Sequence, residues 1–342
     1  MSLSSYRPLG RSGLRVSPLA LGTMTFGSEW GWGADRDEAR AIFDAYVERG
    51  GNFIDTANGY TDGTAERMVG DFAQARREEL VIATKYSMTT RPGDPNSGGN
   101  SRKSMVRSVE DSLTRLRTDY VDVLYLHIWD GGTPVEEVLR GMDDLVRSGK
   151  VLYVGISDVP AWQVSRMQAI ADLRGWAPLV ALQIPYNLIE RTVERDLIPM
   201  AETMGLGVVP WSPLAGGVLT GKYRRSDLEP ESATGVAGPP SRKGVAAVHG
   251  FLTDRGLDIA AVVEEIAAEI GTTASRVALA WTLTHQAVVA SLVGARTLAQ
   301  LDDNLGALGI DLDPGQQARL AEVSAVDLGF PHEALRRLAA TT

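Results

Sequence analysis

The sequence predicts an α/β fold, a single (β/α)8 barrel over residues 1–342 with an N-terminal hairpin cap and long loops at its C-terminal face. Three observations predict it. Eight short apolar runs open at Ala20, Phe53, Leu80, Val121, Val151, Val180, Gly207 and Val288. Each is followed by a segment with helical periodicity. The clearest runs, Val-Asp-Val-Leu-Tyr-Leu at 121–126 and Val-Leu-Tyr-Val-Gly-Ile at 151–156, are near-continuously apolar. That is the pattern of parallel strands covered on both faces. A length of 342 residues suits two average domains or one large barrel, and the recurring unit favours the barrel. A doubly wound sheet would carry Gly-x-Gly-x-x-Gly after its first strand, and this chain has none there.

The elements follow in order. Tyr6-Arg-Pro-Leu-Gly-Arg-Ser-Gly-Leu-Arg-Val reads as a hairpin turning at Gly10–Gly13 and closing the barrel bottom. After Ser101, a helix places Val106, Val109, Leu113 and Leu116 on one face. From Thr133, a helix opens on a Thr133/Glu136 capping box with Pro134 at its first position. Its stripe is Val135, Val138, Leu139, Met142, Leu145 and Val146, and Gly149 ends it. The C-terminal helix starts at Asp313-Pro314 with Gln316 as capping partner. Long loops at 23–36, 86–100 and 222–256 leave strand C-terminal ends; the last is Gly/Pro/Ser/Arg-rich and reads as surface loop largely outside the barrel.

Composition narrows the function. There is no cysteine, which excludes disulfides, Cys zinc sites, Fe–S clusters and a cysteine nucleophile. His127, His249, His285 and His332 lack metal-binding spacing, so no metal is expected. A net charge of −9 argues against a nucleic-acid partner. No apolar run approaches the roughly 18 residues of a membrane span. Met1-Ser-Leu-Ser-Ser-Tyr-Arg lacks the apolar core of a signal peptide. The expectation is a cytoplasmic protein with a small-molecule partner and no membrane partner.

In a barrel, polar residues at strand C-terminal ends are the candidates for chemistry. The second strand ends in Asp55 with Tyr60 just beyond, the third in Lys85, the fourth before His127, the fifth in Ser157-Asp158 and the sixth in Gln183. An Asp, a Tyr, a Lys and a His thus come from three adjacent strands to one mouth.

These residues resemble the aldo-keto reductase family over nearly the whole chain, from Leu9-Gly10 to Leu308. Asp55-Thr56-Ala57-x-x-Tyr60 is followed by Glu66, Thr84-Lys85 and His127. Gly155-Ile156-Ser157, Gln183-x-x-Tyr186-Asn187, and Trp211-Ser212-Pro213-Leu214-x-Gly216-Gly217-x-Leu219-x-Gly221-Lys222 come next. Gly294-Ala295-Arg296 and Gln300-x-x-x-Asn304 close the set.

The resemblance implies reduction of an aldehyde or ketone with NADPH as cofactor. Tyr60 would give the proton. A free phenol, with a pKa near 10, is a poor donor at neutrality, and the Lys85 cation would lower it. Asp55 would pair with Lys85 and orient it, and His127 would donate to the carbonyl oxygen. Trp211 would stack on the nicotinamide ring, and Ser157, Asp158 and Gln183 would hold its carboxamide. Asp158 stands where the commonest family pattern has Asn; an ionised carboxylate accepts from the amide but cannot donate to it. Ser212, Leu214, Gly216 and Lys222 would clasp the pyrophosphate. Gly294, Arg296, Gln300 and Asn304 would hold the adenosine end, with Arg296 on a 2′-phosphate. Met24, Trp30, Trp32 and Trp129 would line an apolar substrate pocket. The substrate would carry an apolar or aromatic part, with a keto-sugar left open.

Three other readings fit parts of the pattern. A strand-end lysine also serves Schiff-base aldolases. A reductase fold can bind NADP(H) as a sensor with slow or no turnover. Gly216–Tyr223 nearly matches a phosphate-binding loop, but Tyr223 replaces its Ser/Thr and the match falls in the seventh unit. Substrate, direction and oligomeric state are not legible in the sequence.

Overall fold

The computed structural model describes residues 1–228 and 241–339. Its hairpin is β1 (Arg7–Pro8) paired antiparallel with β2 (Arg15–Val16). Eight parallel strands follow: β3 (Leu19–Gly22), β4 (Phe53–Asp55), β5 (Val81–Tyr86), β6 (Val121–Leu126), β7 (Val151–Ser157), β8 (Leu179–Pro185), β9 (Gly207–Trp211) and β10 (Ser291–Val293). They form one sheet in the order β10-β3-β4-β5-β6-β7-β8-β9. A parallel bridge between Val208 and Val288 brings the last edges together, so the barrel is nearly closed.

Two apolar layers sit on the two faces of these strands. Inside the barrel, Ala20, Phe53, Val81, Ala83, Val123, Tyr125, Ala181 and Val209 pack together. Leu9 and Val16 of the hairpin belong to the same cluster and are fully buried, so the hairpin stoppers the bottom. Gly10 is required there. Its φ is +55°, and a Cβ would lie 2.2 Å from the Val180 carbonyl oxygen. Outside lie the helices α1 (Arg36–Glu48), α2 (Thr64–Ala73), α3 (Arg102–Leu116), α4 (Val135–Arg147), α5 (Ala161–Arg174), α6 (Leu197–Met204), α7 (Arg242–Val248), α8 (Asp254–Glu269), α9 (Ala274–Thr284), α10 (Leu298–Gly306), α11 (Pro314–Val323) and α12 (His332–Ala339); α7 packs on the segment after β9, α11 on α8, and α12 has no buried residue. Bottom and wall are thus closed by apolar packing, and the open end is the C-terminal mouth.

Local chemistry corrects four expectations. Helix α4 is capped from Pro134, not Thr133. Asp130 takes the Thr133 amide at 2.9 Å and its hydroxyl at 2.7 Å, leaving no capping box. In α3, Met105 joins the buried face and Val106 is exposed. The Asp313/Gln316 capping box is present on α11, but α12 follows, so α11 does not end the chain. Finally, 222–256 is not simply a loop. It contains α7, whose Ser241 cap accepts from the Gly244 amide, and the start of α8. Residues 229–240 of that stretch lie outside the described residues. Among the described residues, no helix is long and apolar enough to cross a membrane.

Candidate active site

A cavity of about 710 Å³ opens at the C-terminal mouth. Its floor is built by the ends of adjacent strands. Asp55 is the last residue of β4, and Lys85 lies near the end of β5. The turn after β4 runs through Thr61 and Asp62 at positive φ and holds Tyr60 at the cavity. The His127 amide donates to the Tyr86 carbonyl at 3.0 Å, continuing the β5–β6 pairing to the rim.

Lys85 is fully buried behind Tyr60. Its ammonium donates to Asp55 Oδ1, to the Thr56 carbonyl at 3.0 Å and to the Tyr60 hydroxyl oxygen at 3.2 Å. Asp55 Oδ2 accepts from Gln183 Nε2 at 2.8 Å. Burial pulls the lysine pKa down, but the charges and hydrogen bonds of Asp55 and Tyr60 outweigh it, and the net direction is up. The ammonium therefore stays protonated, with each proton engaged. An imine needs a free amine, so this paired ammonium argues against a Schiff-base reaction.

The Tyr60 phenol is also shifted up. Burial is the largest cause; Lys85 opposes it, and Asp55 and Asp158 add to it. Lys85 pulls in the expected direction, but desolvation of a phenolate costs more. Beside it, the His127 ring stands edge-on to Tyr60 with centroids 5.9 Å apart. Burial, reinforced by Lys85, pushes the imidazole down to about 3, so it is neutral at physiological pH. Among the described residues, its Nδ1 is buried without a hydrogen-bond partner.

One wall carries Trp211, whose Nε1 donates to Asp158 Oδ1 at 3.1 Å. Asp158 follows β7 in the left-handed region, with φ at +48°. Its carboxyl opens to the cavity, and desolvation raises it to about 6. Ser157 and Gln183 line the same wall. Past Trp211 the chain turns through Ser212, Ala215, Gly216 and Gly217, all at positive φ. Gly217 makes room for a charge, since a Cβ there would lie 2.6 Å from Lys222 Nζ. Across the cavity, Gln300 Oε1 accepts from the Arg296 amide at 2.9 Å and Asn304 Nδ2 donates to the Gly294 carbonyl at 3.2 Å. These two side chains brace the 294–297 turn.

Every residue the sequence placed at the cofactor lines this cavity: Ser157, Asp158, Gln183, Trp211, Ser212, Leu214, Gly216, Lys222, Gly294, Arg296, Gln300 and Asn304. So do Asp55, Tyr60, His127, Met24 and Trp30. Lys85 sits behind the lining, and Trp32 and Trp129 do not line it. Sequence reasoning missed Arg242, His249, Met88 and Ile128, all on the lining. A Ser-capped apolar pattern at Ser241, Val245, Ala246 and Val248 was the available signal for the first two.

The chain matches the aldo/keto reductase family over residues 18–325. It belongs to that family. It is 38% identical over 338 residues to an aryl-alcohol dehydrogenase [NADP(+)] of Phanerodontia chrysosporium, covering 94% of this chain and 86% of that protein. It is 37% identical over 330 residues to a norsolorinic acid reductase of Emericella nidulans, covering 94% and 81%. A putative aryl-alcohol dehydrogenase of Saccharomyces cerevisiae is 35% identical, covering 94% and 86%. This aldo-keto reductase is thus an oxidoreductase, and its membership supports carbonyl reduction as the reaction class.

Proposed function

We propose that this protein reduces an aldehyde or ketone bearing an aromatic or apolar group, with NADPH as the reductant and Tyr60 as the proton donor. The observation that carries the reading is the Lys85 ammonium, fully buried and 3.2 Å from a phenol that faces the cavity. The cavity also fits a dinucleotide: a Trp211 face and polar Ser157 and Gln183 stand toward one part, cationic Lys222 and Arg296 toward another. A bound nicotinamide nucleotide would supply the hydride.

The residues then handle the charge that develops on the carbonyl oxygen. Tyr60 is protonated at rest, as an acid must be, because burial raises it. When its proton moves to the substrate oxygen, the phenolate left behind is already beside an ammonium. This assistance acts in the transition state, where it lowers the barrier. His127 is neutral and donates a hydrogen bond to the same oxygen. We assign its proton to Nε2, because leaving the unpartnered Nδ1 as a bare lone pair is less costly than burying an unsatisfied N–H. Asp55 and Gln183 position Lys85 through a chain of buried hydrogen bonds. Met24, Trp30, Met88 and Ile128 give the substrate side an apolar lining. That lining and the aryl substrate named for the Phanerodontia chrysosporium relative support an aromatic carbonyl.

The test is a panel of aromatic and aliphatic aldehydes, ketones and keto-sugars, followed by loss of NADPH absorbance. The reading expects aromatic aldehydes to give the highest kcat/KM. NADPH binding with no turnover of any carbonyl would contradict it.

A further inference from the structure

Glu66 is a motif residue with no place at the cavity. It is fully buried on α2 and does not line the mouth. A buried carboxylate is rare unless paired, and this one is engaged twice. Its Oε1 accepts from the Thr84 hydroxyl at 2.6 Å, and its Oε2 accepts from Arg115 Nε at 2.6 Å. Three elements, α2, β5 and α3, therefore meet on one side chain.

Two of these elements lead to the reacting pair. Thr84 directly precedes Lys85 on β5. Val81 and Ala83 belong to the inner apolar cluster, Ile82 and Tyr86 to the outer one. By the same alternation Lys85 points into the barrel and Thr84 toward the helices. Glu66 thus grips β5 from behind, one residue from the lysine. It is also the third residue of α2, which begins directly after the turn Tyr60–Gly63. In that turn Thr61, Asp62 and Gly63 have φ of +44°, +53° and +83°. Backbone of this kind persists only where its surroundings fix it. The Thr61 hydroxyl oxygen accepts from the Ala65 amide at 3.1 Å, fastening the turn to α2. Arg115 packs against the turn, so closely that a Cβ on Gly63 would lie 2.8 Å from its Cδ. One carboxylate thereby ties the turn that presents Tyr60 to the strand that presents Lys85. Apolar side chains filling the same space are often as stable as a buried ion pair. What the carboxylate adds is direction, through hydrogen bonds that hold three elements in one register.

We propose that Glu66 is a positioning residue for proton transfer, setting the separation of the Tyr60 hydroxyl and the Lys85 ammonium. This rests on the reading of Tyr60 as donor above. The help an ammonium gives a developing phenolate falls with distance. Loosening the tie therefore slows the proton transfer and leaves the ligand sites alone.

Single-turnover reduction of one aromatic aldehyde by the NADPH-loaded full chain tests it, with the NADPH dissociation constant and the aldehyde KM taken for each variant. E66Q keeps the size of the side chain and loses its charge. T84V keeps the shape of the threonine and loses the hydroxyl, whereas T84S keeps the hydroxyl. E66Q should lower the turnover rate about tenfold, the scale of one weakened hydrogen bond to a charge, with both binding constants unchanged. T84V should show a smaller loss of the same kind, and T84S none. In a Lys85→Met background neither E66Q nor T84V should slow the enzyme further, because no ammonium is left to position. Equal slowing in that background would make Glu66 a structural residue only and overturn the assignment. So would wild-type turnover in both E66Q and T84V, or NADPH binding that weakens in step with the rate. If E66Q does not fold, T84V against T84S decides by the same criteria. A Lys85→Met enzyme as fast as wild type would overturn the donor reading itself.

Discussion

Charge is handled in opposite ways at two places on one cavity. Behind Tyr60, the Lys85 ammonium is fully buried and each proton has a protein acceptor. Around the Gly217 turn, Lys222, Arg242 and Arg296 face the cavity with no ion-pair partner among the described residues. The first arrangement is complete without a ligand. Its purpose is to have stabilisation in place before charge develops on the phenol, which costs no reorganisation during reaction. The second is incomplete, and an anion would relieve it. The difference teaches that one fold can build a permanent electrostatic device and a ligand-dependent one a short distance apart. It also tells which perturbations should act on which end.

The largest effect should come from breaking the compensated end. Asp55→Ala leaves the Lys85 ammonium buried without its carboxylate. Unpairing a buried ion pair costs about 3–5 kcal/mol, and denaturant unfolding would measure it. The Asp55→Ala/Lys85→Met double variant should be less destabilised than the sum of its singles, since it leaves neither charge unpaired. Additive losses would mean that the two charges are independent.

Removing Arg296 addresses the uncompensated end. Arg296→Gln should lower NADPH affinity by about 10- to 150-fold and leave NADH nearly untouched, as expected for one charged contact to phosphate. An unchanged NADPH/NADH ratio would leave Arg296 as a brace of the 294–297 turn only. Salt sharpens the same contrast. NADPH KM should rise between low and physiological ionic strength, because the cations facing the cavity are screened. The kcat with saturating cofactor should not change, because Lys85 and Asp55 are shielded from ions. Equal salt sensitivity of both would erase the distinction.

Asp158 lies between the two regimes, and its effect should be the smallest. Its folded value is raised to about 6 from the usual carboxylate value, so the unfolded chain releases this proton first. Ionisation therefore costs stability: nothing below about pH 4, increasing as pH rises through 6, and in full above it. Asp158→Asn removes that cost. It should raise the melting temperature by about 1–2 °C at pH 8 and by less at pH 5, a small shift because the carboxyl opens to water. An equal gain at both pH values would contradict the assignment.

Much of this was legible in the sequence, for identifiable reasons. Apolar runs buried on both faces revealed the strands, since a parallel barrel forces that pattern, and strand-end polar residues then marked the mouth. Asp313 and Gln316 were readable as a cap because both partners are local. Thr133 misled because Asp130, three residues earlier, competes for the same amide and hydroxyl. Val106 misled because a one-residue rotation of α3 exchanges it with Met105. The pull of Lys85 on Tyr60 was readable because a neighbouring charge is visible in sequence; the burial that outweighs it is not. The link between Gln183 and Asp55 spans 128 residues, and that between Arg242 and Trp32 joins two loops; neither has a local signature.

The central claim is that Tyr60 delivers the proton with help from Lys85. The direct measurement is single-turnover reduction of one good aromatic aldehyde by NADPH-loaded wild type, Tyr60→Phe, Lys85→Met and the double variant, with NADPH dissociation constants taken in parallel. Tyr60→Phe removes one oxygen and keeps the ring. The account predicts a rate loss of about 10²–10⁴ with NADPH binding intact. Lys85→Met should lose a similar factor, and the double variant should be no slower than the slower single, since both residues act through one proton transfer. A Tyr60→Phe enzyme within about threefold of wild type in that turnover, far short of a lost general acid, would contradict the account and place the donor elsewhere.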